Sequence, residues 1–488
     1  MSPDPNRLSL REASDLLAYD RRRVTPGIVH LGVGAFHRAH MAVYLDDLLR
    51  TDPSWGIIGA SLRSASVHKA LAPQDCLYTL LERGPSGTSA RVIGSLLDVL
   101  VAPAHRGRLL AAMADPAIRI VSLTVTEKGY CHDPATGELQ ETHPDIVHDI
   151  GRPSEPGSVP GLIVRALEMR RAAGVPPFAV LSCDNLPENG KTVAGVITAF
   201  AGLRNDELAE YVARKVAFPS TMVDRIVPAT TDEDKNEVVG LTGLEDQWPV
   251  AAEPFSQFVI EDRFPAGRPE FELAGAELVS DVRPYENMKL RMLNGSHSSL
   301  AYLGFLAGHE LISGAMGEPV LRQFVHQLMT CEVMPTLPAG LGDLASYRDS
   351  VIQRFTNPAL KHRTWQIAMD GSQKLPQRLL GTIRDRLSGG GSIDLASLGV
   401  AAWMRYAAGV DEQGRAIDVR DPLSDLFRAV GEAERSDPGG LVRSFLGIRQ
   451  VFAPDLAENA VFCKTLTRHM DNLMGVGALA TVRRVLIY

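Results

Sequence analysis

Ile28-Val29-His30-Leu31-Gly32-Val33-Gly34-Ala35-Phe36-His37 decides how the N-terminal half is read: an apolar run ends in two glycines one residue apart, and small and apolar residues follow to Arg50. A short apolar run closed by glycine reads as a buried strand, and the segment after it as a helix. Gly32 suits the tight turn between them. Gly34 allows a pyrophosphate to approach the helix N-terminus, where backbone N–H groups lack intrahelical partners. Ala35 and Phe36 open the helix and are expected cofactor contacts with the two glycines. The dinucleotide fingerprint is incomplete, because His37 stands where a third glycine usually falls, and its side chain should hold the helix farther from the sheet. A plain strand-to-helix turn is the competing reading of this glycine pair.

Outward from this stretch, Ile57–Leu62, Ile118–Val125 and Pro177–Cys183 read as further buried strands separated by helical segments. Such alternation predicts a parallel α/β sheet. From about Tyr285 strand signals thin out, and 297–312, 318–332 and 391–406 read as helices. The expected architecture is α/β plus mainly α: a Rossmann-like dinucleotide-binding domain over 1–284 and a helical catalytic and substrate domain over 285–488, with substrate and nicotinamide meeting between them.

With 488 residues, 45% of them hydrophobic, the chain can bury a large core. The net charge of -8 comes without a basic block, which argues against nucleic acid or an anionic membrane as partner and leaves a small molecule. Cys76, Cys131, Cys183, Cys331 and Cys463 are scattered without metal-ligand spacing, so no disulfide scaffold and no metal site are expected, and a reducing cytoplasm fits. No secretory core or long apolar segment is present in the sequence.

Lys289-Leu290-Arg291-Met292-Leu293-Asn294-Gly295-Ser296-His297 places an amine, an amide and an imidazole close together. On an α-helix Asn294 and His297 are i,i+3 neighbours, with Lys289 eight residues before His297 on a nearby part of the surface. In a carbonyl reduction Lys289 can deliver the proton, Asn294 can stabilise the developing alkoxide and His297 can orient a hydroxyl. A solvated helix with a polar patch is the plainer reading. Asn185 and Glu127 each follow an expected strand, where an ordinary turn competes with a catalytic role. Asp224 beside Arg225 also fits a structural ion pair. The second-strand end, Ala60-Ser61-Leu62-Arg63, lacks the acid that favours NAD, and Arg63 suits a 2′-phosphate or open solvent.

Seven blocks together carry a resemblance: HLGVGAFHRAH at 30–40, IVSLTVTEKGYC at 120–131, LSCDNLPENG at 181–190, FPSTMVDRIVPAT at 218–230, EPFSQFVIEDRF at 253–264, KLRMLNGSH at 289–297 and HRTWQIAMDGSQKLPQRLL at 362–380. Through nearly its full length the chain resembles the polyol-specific long-chain (mannitol) dehydrogenase family. The resemblance implies reversible, metal-independent reduction of D-fructuronate to D-mannonate by hydride from a nicotinamide, expected to be NAD with NADP open. It also implies Lys289 as general acid/base, Asn185 and Asn294 as amides polarising the carbonyl, and His297 as substrate-positioning. Glu127 matches a glutamate on a water path to the lysine, and Asp224 an acid near the junction of cofactor and substrate. Mannitol-oxidising relatives carry Asp and, four residues on, Arg where this chain has His362 and Gln366. That departure favours a sugar acid, with Arg363, Lys374 and His362 as candidates around its carboxylate. Interconversion of D-mannitol and D-fructose is the alternative activity, and a nucleotide-regulated binding protein the alternative without turnover.

Overall fold

Strand β1 (Pro26–Leu31) is buried at every position after Pro26, which explains why it reads as a continuous apolar run rather than an alternation. It is the middle strand of a parallel sheet with β2 (Gly56–Ser61), β3 (Leu96–Val101), β4 (Ile120–Leu123) and β5 (Ala179–Ser182), in the order β3-β2-β1-β4-β5. Strand order reverses beside β1: β2 lies on one side and β4 on the other, with His30 paired to Gly59 and to Ser122. In open α/β sheets ligands bind at the carboxyl ends of strands at this switch point. Gly32 and the loop after Leu123 both lie there.

The computed structural model describes residues 6–84, 86–133 and 136–486, and it leaves the side chain of Glu127 outside that description. It divides into two compact units, Met1–Arg283 and Pro284–Tyr488. In the first, the two faces of β1 feed separate cores. Val29 and Leu31 pack with Leu109 of α3 (Ala102–Ala114) and Leu162 of α4 (Val159–Ala172), whereas Ile28 packs with Leu45 of α2 (Met41–Leu48), which follows α1 (Ala35–Ala39). Each such side chain contributes about 1.5–3 kcal/mol by leaving water. A further helix, α5 (Asn189–Gly202), follows β5. Beyond it β6 (Thr221–Asp224) runs antiparallel to β7 (Gln257–Glu261), with Asp224 opposite Gln257.

The second unit is helical. Its described residues form no extended strand, only the isolated bridges Leu311–Arg363 and Val410–Ala416. At its centre α6 (Ser296–Leu306) is buried at every residue except Phe305. It crosses α7 (Asp394–Ala407), where a Cβ on Gly399 would lie 2.3 Å from Ser299 Oγ, so the small residue sets how closely the helices approach. The helix expected over 297–312 is broken, because Gly308 adopts φ +88° and a new helix begins only at Ile312. No helix among the described residues is long and apolar enough to cross a membrane.

Candidate active site

The two glycines after β1 differ in what requires them. Gly32 holds φ +96°, and a Cβ there would lie 2.1 Å from the Thr124 carbonyl oxygen, so its own neighbours exclude any side chain. Gly34 is exposed, and a Cβ there would meet nothing nearer than the Gly32 carbonyl oxygen at 3.8 Å. The space before Gly34 is therefore open, which fits the approach of a cofactor phosphate to the N–H groups of Ala35 and Phe36. His37 stands between the helix that carries it and the strand that carries His30. Its ring is fully buried and lies flat on His30, with centroids 3.4 Å apart and 11° between planes. His30 is held by Ser122 Oγ at 2.8 Å and Thr124 Oγ1 at 2.9 Å, whereas neither nitrogen of His37 has a hydrogen-bond partner. Burial keeps both rings neutral, depressing His30 to about 3 and His37 well below the ordinary histidine value, the latter aided by nearby His30, Arg38 and His40.

Asp184 organises the adjacent strand ends. Its carboxylate accepts from the Val125 and Thr126 N–H groups at 2.9 and 3.0 Å and from the Tyr130 hydroxyl at 2.7 Å. The loop after β4 is thereby tied to the loop after β5, and Thr126 is kept at φ +63°, which a β-branched residue rarely adopts. Glu127 opens the short turn that follows, Glu127–Tyr130, and its side chain lies outside the described residues. Asn185 is exposed beside Asp184, in a turn braced by Asn189, whose Nδ2 donates to the carbonyls of Asp184 and Thr221, both at 3.0 Å. Asp184 and Asn189 were legible only as turn residues within LSCDNLPENG. Asp224 is buried at the end of β6, while Arg225 bonds the Ala39 and Glu253 carbonyls and the Glu82 carboxylate. Arg63 is exposed just past the end of β2.

In the second unit the expected α-helix through the lysine motif is corrected: Lys289–Gly295 is a π-helix that passes directly into α6. Five residues span roughly 140° beyond a full turn in an α-helix, whereas i→i+5 closure brings Lys289 and Asn294 onto one side. A Cβ on Gly295 would lie 2.6 Å from the Arg378 carbonyl oxygen, so this run packs against the 378–379 backbone. Lys289 and His297 are 8% and 7% exposed. Asn294 Oδ1 and His297 Nε2 are buried without hydrogen-bond partners. Two such orphans one helical turn apart are costly unless a ligand completes them. The His297 ring stacks on Phe355 at 4.7 Å and on His362 at 5.6 Å. Burial first, then neighbouring His362 and the positive charges of Arg378, Arg354 and Lys374, keep His297 neutral.

The carboxylate candidates separate. His362 joins His297, and Lys374 is half-buried, its Nζ donating to the Met369 carbonyl at 2.6 Å. Arg363 stands 54% exposed and pairs with Glu310 at 3.2 Å. Sequence reading passed over Arg354, which no motif marks, and Arg378, which lies within the 362–380 block without being singled out, yet both place charge near His297.

A nucleotide turn, paired strand-end loops and a lysine–amide–imidazole run are joined by two sequence profiles: the mannitol dehydrogenase Rossmann domain matches residues 26–273, and the mannitol dehydrogenase C-terminal domain matches 281–474. The chain belongs to the mannitol dehydrogenase family. Within that family it is 47% identical to D-mannonate oxidoreductase of Escherichia coli (strain K12), across 94% of this chain and 96% of that protein. It is 43% identical to mannitol 2-dehydrogenase of Pyrenophora tritici-repentis, across 96% of this chain and 83% of the relative. The solved structure of Pseudomonas fluorescens mannitol 2-dehydrogenase, in ternary complex with NAD and D-mannitol, matches with a TM-score of 0.85 at 38% identity, covering 99% of both chains. Family membership makes the chain an oxidoreductase with an N-terminal Rossmann nucleotide-binding domain and a mainly helical C-terminal domain.

Proposed function

We propose that the chain is an NAD-dependent dehydrogenase interconverting a secondary alcohol and a ketone on a six-carbon polyol, with D-mannitol and D-fructose as the leading pair. The observation carrying the chemistry is the run that Lys289 opens, on which Asn294 Oδ1, an acceptor for a substrate hydroxyl, and His297 Nε2 are buried without hydrogen-bond partners. The polyol assignment follows the mannitol 2-dehydrogenases, one of them solved in complex with NAD and D-mannitol. One feature of this chain agrees with it: Arg363 stands exposed and pairs with Glu310.

NAD, held by the backbone N–H groups after Gly34, would supply the acceptor and donor of hydride at the alcohol carbon. Lys289 takes the alcohol proton during oxidation and gives it back to the oxygen during reduction. Asn294 donates through Nδ2 to that oxygen as negative charge develops on it, which lowers the barrier more than it strengthens ground-state binding. His297, kept neutral by its surroundings, can accept from or donate to a neighbouring substrate hydroxyl without competing for the proton. No step requires a metal ion.

A second reading, fructuronate reductase acting between D-fructuronate and D-mannonate, is favoured by the four basic groups around His297 and by the kinship to D-mannonate oxidoreductase. Buried cations discriminate for a carboxylate over a hydroxymethyl group. NADH consumption with D-fructose and with D-fructuronate, as kcat/KM on one preparation, separates the two. The leading reading expects fructose to be preferred. A preference of tenfold or more for fructuronate, about 1.4 kcal/mol, transfers the assignment to the sugar acid, and absence of turnover on both overturns the two together.

A further inference from the structure

Away from the groups assigned to the reaction, the chain brings together three side chains of mixed ligand chemistry. Cys131 Sγ, a His143 ring nitrogen and an Asp145 carboxylate oxygen all lie within 4.8 Å of one another. Sequence spacing hid this cluster, since eleven residues separate the cysteine from the histidine. The loop closes on itself through the His132–Leu139 bridge, the Gln140 N–H donating to the Cys131 carbonyl at 2.9 Å, and the His143 N–H donating to the Gln140 carbonyl at 2.9 Å. Cys131 is buried, whereas the side chains of His143 and Asp145 are 29% and 52% exposed, so the cluster opens to solvent on one side.

We propose that Cys131, His143 and Asp145 form a binding site for a borderline divalent cation such as Zn2+, separate from the catalytic groups. Thiolate, imidazole and carboxylate together suit this class of ion and not Mg2+ or Ca2+, which select oxygen ligands. Tetrahedral bonds of about 2.0–2.3 Å put ligand atoms roughly 3.3–3.8 Å apart, so the cluster must contract by about 1 Å. His143 Nδ1 already lies 3.9 Å from Asp145 Oδ2. The three side chains leave one position for water.

A thiol ligates as its thiolate, so binding forms a metal–sulfur bond and releases the thiol proton to solvent, one per cation bound. The His143 Nδ1 atom also caps the Asp145 N–H at 3.2 Å, and coordination through that nitrogen would replace the cap. Because Cys131 directly follows the turn Glu127–Tyr130, an occupied site would stiffen the loop that carries Glu127.

The test is a Co2+ titration of the full chain, reduced, stripped with chelator and returned to chelator-free buffer, read by the thiolate-to-cobalt charge-transfer band and by proton release. The site predicts one Co2+ per chain, displaced by Zn2+. Cys131→Ser should abolish the band. His143→Gln should weaken binding by at least the roughly 10- to 100-fold that loss of an outer-shell partner costs, and Cys331→Ser, at an exposed thiol, should leave binding unchanged. Absence of the band at saturating Co2+, its survival in Cys131→Ser, or unaltered affinity in His143→Gln overturns the site. Circular dichroism confirms folding of each variant. If Cys131→Ser fails that check, the wild-type and His143→Gln titrations decide the matter.

Discussion

The turn after β1 and the run from Lys289 to His297 solve opposite problems. At the first, the proposed cofactor contact depends on what is missing: Gly32 has no room for a side chain and Gly34 leaves open space in front of backbone donors. At the second, the proposed chemistry depends on side chains kept incomplete, with Asn294 Oδ1 and His297 Nε2 buried and unpartnered. A backbone site tolerates almost no change in shape, because geometry is all it offers. A side-chain site tolerates changes of shape better than changes of chemistry.

The sharpest break in that contrast is chemical. Lys289→Ala should cost about 10²- to 10⁴-fold in kcat while NAD binding and the melting profile stay near wild type, and Asn294→Ala should cost about 10²- to 10³-fold in the same parameter. Stopped-flow or steady-state kinetics beside a cofactor titration checks both. A loss confined to cofactor affinity would erase the distinction between the two regions.

Gly32→Ala should act in the reverse sense. The added Cβ collides with the Thr124 carbonyl at a positive φ, and strain with local displacement should cost about 2–4 kcal/mol of stability along with most of the NAD affinity. Urea unfolding and fluorescence titration of NADH measure the two. Unchanged stability would mean that the turn yields more readily than its packing indicates.

The smallest effect concerns the His30–His37 stack. An unfolded histidine takes up a proton below about pH 6.5, whereas the folded His30 resists until about 3 and His37 lower than usual. The unfolded state therefore binds more protons below pH 6.5, and stability should fall with pH by about 1.4 kcal/mol per unit for each ring. His37→Leu should remove one proton from that slope, seen in denaturation midpoints between about pH 6.5 and 4.5. An identical slope in wild type and variant would show that His37 protonates freely in the native chain.

Much of this was readable from residues because burial leaves a period. The run Ile28–Leu31 has the continuous apolarity of a strand covered on both faces, and the second unit's helices carry long apolar stretches such as Leu395–Ala402. The side chains of the lysine motif were legible because amine, amide and imidazole are uncommon so close together. What escaped was contact between distant segments. Nothing local announces that His30 offers His37 a flat partner. Nothing local marks the ties of Asp184 either, because its three donors come from residues 54 to 59 positions earlier. The exposed pairing of Arg363 with Glu310 likewise joins two separate segments.

The π-helix carries a consequence of its own. A π-turn amounts to one residue inserted into an α-helix, so a regular helix of the same length running back from Asn294 would carry the lysine roughly 100° further round its axis. Deleting Leu290 would shorten the run to an α-helical one in which the lysine precedes Asn294 by four residues, still on the same side. The deletion should therefore be tolerated far better than a change that straightens the run at unchanged length. That second protein should still bind its nucleotide and its sugar, and fail at moving the proton.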